Sequence, residues 1–152
     1  MDSLMSVQQQ IYLTGNITLA MILSGIIGIN RERHNKSAGL RTHMLTGVGA
    51  CIFTILSLYG FPGADTSRIA SNIVTGIGFL GGGIIIQRKT EAHDLTTAAG
   101  IWSTAAIGMA VGVGAWFIAI YATLMLWFIL VLLKQIKERT RQEQGEDLPS
   151  EI

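Results

Sequence analysis

Four stretches of the chain contain no Asp, Glu, Lys or Arg: Ser3–Asn30 (28 residues), Thr42–Ala64 (23), Ile69–Gln87 (19) and Leu95–Leu133 (39). A hydrocarbon core roughly 30 Å thick is crossed by about 20 helical residues rising about 1.5 Å each. The first three stretches accommodate one crossing apiece and the fourth accommodates two. This predicts an all-α integral membrane protein, a bundle of about five transmembrane helices. Charged residues make up only 14% of the 152-residue chain, against roughly 25% in soluble domains, so a soluble fold is excluded.

Loop charge then sets the expected orientation. Arg31, Arg33, Lys36 and Arg41 fall between the first two spans, Arg88 and Lys89 between the third and fourth, and Lys134, Lys137, Arg139 and Arg141 after the fifth. Ten of the eleven basic residues therefore share one side, and Arg68 alone lies opposite. The positive-inside rule places the N-terminus outside and the C-terminus in the cytoplasm. The first ten residues carry no Lys or Arg, so the first span is expected to be retained, not cleaved as a signal peptide.

The expected spans are residues 11–29, 44–60, 69–87, 95–112 and 115–133, within a transmembrane domain over 1–133. Residues 134–152 form a polar tail, read as a helical extension that frays. Ser24 and Gly28 in span one, and Gly47 and Cys51 in span two, place small residues one turn apart, where a neighbouring backbone approaches closely. Pro62 and Gly63 stop span two, and Asp65 and Asp94 stand at N-cap positions. Gly100, Thr104, Gly108 and Gly112 recur every four residues in span four, leaving one smooth face. Gly112 and Gly114 supply the corner before span five, where Trp116 anchors at the outer interface.

Three blocks carry a resemblance: GINRERHNKSAGLRTH at Gly28–His43, DTSRIASNIVTGIGFLGGG at Asp65–Gly83, and LTTAAGIW at Leu95–Trp102. In this order they resemble the MgtC/SapB family of bacterial inner-membrane proteins, over roughly residues 10–133. The resemblance implies a multi-pass protein of the cytoplasmic membrane, five spans, and a connection to magnesium homeostasis or growth at low magnesium. Family members commonly have a glutamate where this chain has Asn30. Many also carry a C-terminal soluble domain, and the chain is expected to be a short form without one.

Candidate functional residues fall in three groups. Asn30, Arg31, Glu32 and Arg41 from the first inner loop, with Thr96, Thr97 and Trp102 from the start of span four, form the expected cytoplasmic polar cluster. Asp65, Arg68 and Asn72 form an outer counterpart, in which Arg68 pairs with Asp65 or with span-end carbonyls. Gly76, Gly78, Gly81, Gly82 and Gly83 form a glycine-rich run in span three, read as a close-packing face or, if the helix unwinds, as the lining of a pathway. Gly76–Gly81 spells G-x-G-x-x-G, but without a strand–helix unit around it the motif carries no dinucleotide meaning.

Chemistry is sparse. His34, His43 and His93 show no metal-ligand spacing, and lone Cys51 has no positioned base. No enzymatic activity, cofactor or nucleic-acid partner is expected, and a metal is left open. Every acidic residue lies outside the spans, whereas Mg2+ prefers carboxylate oxygens and ion paths usually carry ionisable residues in the interior. The first expectation is a protein that regulates other membrane proteins by contact, with the lipid bilayer and a membrane-protein partner or a second copy around it. A Mg2+ or other cation transporter or channel is the alternative, and a small-ligand sensor comes third.

Overall fold

The computed structural model describes residues 5–61, 63–88 and 91–143, without side chains for 86–88, 91–93 and 133–143. Five helices follow in order: α1 (Val7–Arg33), α2 (Leu40–Tyr59), α3 (Thr66–Ile84), α4 (Leu95–Gly112) and α5 (Trp116–Glu143). Between α3 and α4 lies a short antiparallel hairpin of β1 (Ile86–Arg88) and β2 (Glu91–His93), with Ile86 opposite His93. The fold is a helical bundle. By length and composition α1, α2 and α4 can each cross a membrane, and the described apolar part of α5, Trp116–Leu132, is shorter.

Local chemistry explains the boundaries. The Ser6 hydroxyl accepts from Gln9 N at 3.2 Å to open α1, and Asp65 Oδ1 accepts from Ser67 N at 2.9 Å to open α3, each satisfying an amide that helix geometry leaves unpaired. α2 ends at Tyr59 and the chain turns through Gly63 at φ +79°; Pro62 lies outside the described residues. Gly114 at φ +81° makes the corner between α4 and α5, a left-handed conformation that suits glycine.

Two expected boundaries need correction. α1 runs on through Arg33 and α2 begins at Leu40, so Asn30, Arg31 and Glu32 are helical and the first inner loop is shorter than expected. α3 ends at Ile84, and Ile85 is already extended (φ −71°, ψ 113°). Three consecutive glycines weaken the last turn, and the isoleucines that follow favour the strand that forms. The helical extension expected after residue 133 is present, since α5 runs to Glu143; the rest of the expected tail, 144–152, lies outside the described residues.

α4 is the centre of the bundle and packs against α1, α2, α3 and α5. Its smooth face is used. A Cβ on Gly108 would run into the Gly47 carbonyl, and one on Gly112 would come within 2.8 Å of Thr54 Cβ. The small-residue pairs of α1 and α2 also meet: Ser24 lies directly beneath Gly47, and a Cβ added to Gly28 would come within 2.8 Å of the Leu40 backbone. Such contacts let helix backbones approach where lipid offers no hydrophobic drive for association. Around them Leu13, Ala20, Leu23, Cys51, Ile55, Ile107, Val111 and Ala119 form the main apolar core.

Candidate functional site

The α1–α2–α4 junction gathers the buried polar groups at one end of the bundle. One turn beyond Gly28, Arg31 is only 5% exposed, whereas Arg33 on the same turn is exposed. Arg31 Nη2 donates to Thr97 Oγ1 at 2.8 Å and to Thr96 Oγ1 at 3.4 Å. The Thr97 hydroxyl in turn donates to Asp94 Oδ1 at 2.9 Å, giving a relay from guanidinium through hydroxyl to carboxylate. Bonds to charged groups are the stronger kind.

Asp94 differs from an ordinary N-cap. Its backbone is left-handed at φ +65°, and its side chain makes no capping bond to α4. The Thr97 hydroxyl first, then that of Ser37, with Lys36 and Arg31 adding positive charge, holds the Asp94 carboxyl below the usual carboxylate range. The residue thus joins the 34–39 turn to α4 instead of merely starting a helix.

His43 completes the junction. It is fully buried, its Nδ1 lies 2.9 Å from the Gly39 carbonyl, and its Nε2 faces Gly100, where an added Cβ would be 3.6 Å away. Among the described residues His43 Nε2 and Arg31 Nε have no hydrogen-bond partner, an unusual condition for buried nitrogens. Glu32 has a separate task. Its Oε2 accepts from Leu40 N at 2.6 Å, capping α2 where Gly39, the N-cap residue, has no side chain to do so.

Of the expected cytoplasmic cluster, the structure brings together Arg31, Thr96 and Thr97. Asn30 contributes its carbonyl to His34 Nδ1 at 2.6 Å. Arg41 is exposed, and Trp102, 49% exposed, lies away from the junction on the outer surface of α4. Sequence reasoning missed His43 and the relay role of Asp94. His43 stood in the GLRTH end of a singled-out block, but its neighbours gave no sign that the ring turns into the bundle.

The outer group does not assemble as expected. Asp65 Oδ1 accepts from both Ser67 N and Ser67 Oγ, the latter at 2.7 Å, so the serine takes the carboxylate. Among the described residues Asp65 makes no ion pair with Arg68, which is exposed. Asn72 faces a groove between α2 and α3. The Ser67 hydroxyl side chain first, and its amide second, lowers the Asp65 carboxyl from its ordinary value.

The glycine run forms an unbroken helix through Gly83. Gly81 packs on Ala98 of α4, with an added Cβ at 3.6 Å. At Gly76, Gly78, Gly82 and Gly83 an added Cβ meets nothing within 4 Å. The close packing expected of Gly78 and Gly82 is therefore not made among the described residues. Among the described residues no group of three His, Cys, Asp or Glu is placed to hold a metal ion.

Comparison with known proteins gives a consistent result. The profile of the MgtC family matches residues 17–139. YhiD of Escherichia coli K12, which bears a provisional magnesium-transporter name, is 45% identical over 131 residues, covering 81% of this chain and 61% of that protein. Protein MgtC of Salmonella typhimurium LT2 is 38% identical over 127 residues, covering 84% of this chain and 54% of the relative. An uncharacterised Haemophilus influenzae protein is 40% identical over 118 residues, covering 71% and 50%. The chain thus spans between half and about three fifths of these relatives. No solved structure matches.

Proposed function

The chain belongs to the MgtC family, and from that premise we propose that it is a non-enzymatic protein of the bacterial inner membrane that regulates other membrane proteins by lateral contact when magnesium is scarce. Its N-terminus faces outward and its C-terminus the cytoplasm, following the basic residues. The magnesium connection rests on the names of its relatives.

The observation that supports contact is the outward face of α3. Ser71, Thr75, Gly78 and Gly82 recur at spacings of four, three and four and are all exposed, which places them on one side of the helix. Both hydroxyls bond the helix's own carbonyls, Ser71 to Arg68 O at 2.8 Å and Thr75 to Ser71 O at 3.1 Å. The stripe therefore offers close backbone approach without stranding a donor in lipid, which suits a helix–helix interface. Glu32, Asp65 and Asp94 all sit at helix ends, a poor arrangement for stripping water from Mg2+.

Transport is the second reading, favoured by the name that YhiD bears. Mg2+ flux into proteoliposomes of purified, oriented protein separates the two. We expect no flux above empty vesicles, together with a copurifying membrane protein that is lost from a Gly78→Leu/Gly82→Leu double variant. Saturable flux would overturn the contact reading.

A further inference from the structure

A groove of about 620 Å³ runs between α2 and α3, lined on one wall from Thr42 to Phe53 and on the other from Ile69 to Leu80. It lies on a different side of α3 from the stripe Ser71–Thr75–Gly78–Gly82. Its floor is Ala50 and Ile73, which pack with Ala105 of α4. At the loop end the Ser57 hydroxyl donates to the Thr66 carbonyl at 2.5 Å and ties α2 to α3. At the other end α3 turns its Gly81 to Ala98 of α4. The groove thus has one tied end, and its opposite end reaches the start of α2 at Thr42.

Size and polarity select the occupant. Each wall spans eleven residue steps, about 16 Å of helix, close to the depth of one leaflet in a hydrocarbon core of about 30 Å. A membrane-crossing helix needs about twice that length. The Thr46 hydroxyl bonds the Thr42 carbonyl at 2.8 Å, so beyond Thr42 at the mouth the α2 wall is effectively apolar. Asn72 is the polar exception on the α3 wall; it lies eight residues from Leu80, about 12 Å along the helix, and marks the deep end. Beside Thr42, at the mouth, Arg41 is exposed and has no protein partner among the described residues.

We propose that this groove binds one anionic phospholipid, its acyl chain between α2 and α3 and its phosphate at Arg41. The inference rests on α2 and α3 crossing the membrane, not on the regulatory reading. It names a site separate from both the α1–α2–α4 junction and the outward stripe. An anionic head group at the mouth meets the exposed Arg41 guanidinium, an attraction that amounts to about a fivefold preference over a zwitterionic lipid.

The test uses the full chain in nanodiscs of equal phosphatidylglycerol and phosphatidylethanolamine, followed by native mass spectrometry. A phosphatidylglycerol with a diazirine in its acyl chain is the labelling probe. The wild type should retain one phosphatidylglycerol and be labelled on α2 or α3. Gly76→Leu fills the groove where an added Cβ meets nothing, so it should fold normally yet lose both the retained lipid and the label. Arg41→Gln should keep a lipid but lose the roughly fivefold preference. Gly78→Leu, on the outward stripe, should change neither. The proposal is overturned if folded wild type retains no lipid, if Gly76→Leu is labelled as strongly as the wild type, or if Gly76→Cys forms a disulfide to another polypeptide in the groove.

Discussion

Helices α3 and α4 lie side by side and both are rich in glycine, yet they use it in opposite directions. Gly108 and Gly112 of α4 are pressed against α2 backbone and Thr54, so their missing side chains make room for a neighbour inside the chain. Gly76, Gly78, Gly82 and Gly83 of α3 leave space that nothing among the described residues fills. α4 is also anchored at its start by the Arg31–Thr97–Asp94 relay. Glycine spacing alone therefore reports a capacity for close approach, and only the third dimension says whether that capacity has been taken up at home.

The largest effect that would break this contrast is expected at the centre. Gly108→Leu places a branched side chain on the Gly47 carbonyl and should cost at least about 3 kcal/mol, read as loss of folded protein by size-exclusion chromatography in detergent. Folded protein in normal amounts would mean that α2 and α4 do not meet there. Thr97→Val keeps the shape but removes the acceptor for Arg31 and the donor to Asp94. A loss of about 1.5–3 kcal/mol in thermal unfolding is expected, since the guanidinium stays buried with fewer partners.

On α3 the sign should reverse. Gly82→Ala meets open space and adds helix propensity, so the unfolding midpoint should stay or rise by the equivalent of about 0.5–1 kcal/mol. A drop would reveal a contact on that face, such as a second copy in the preparation. The smallest effect is expected for Asp94→Asn. Because folding holds this carboxyl below its ordinary pKa of about 3.9, its stabilisation is present above that pH and is lost as pH falls through the lower folded value. The variant should therefore unfold slightly earlier at neutral pH and show a flatter decline below about pH 4.

The helices were legible because uncharged runs and caps are local signals. The corner at Gly114 and the cap at Asp65, whose partner is Ser67, work through neighbours in sequence, and the four-residue repeat of α4 is visible as a spacing although its partners, Gly47 and Thr54, are distant. The meeting of Arg31 with Thr96 and Thr97 followed from topology, since alternate crossings return to the same side. The inward turn of Arg31 and the burial of His43 did not, because a residue at a span end has both lipid head groups and the bundle within reach. Likewise the serine that takes Asp65 from Arg68 wins by being nearer, a competition that residue type alone does not decide.

The bond from Leu40 N to Glu32 bears on the order in which the protein is assembled. Its partners are eight residues apart, so the first two helices can close as a hairpin almost as soon as they leave the ribosome. The partners of Arg31 lie 65 and 66 residues further on. Throughout the synthesis of α3 the guanidinium must wait at the membrane edge without them, so insertion is fast for the first pair and held open for the fourth helix. A nascent chain arrested before Leu95 should carry an accessible Arg31 that becomes protected once α4 has entered.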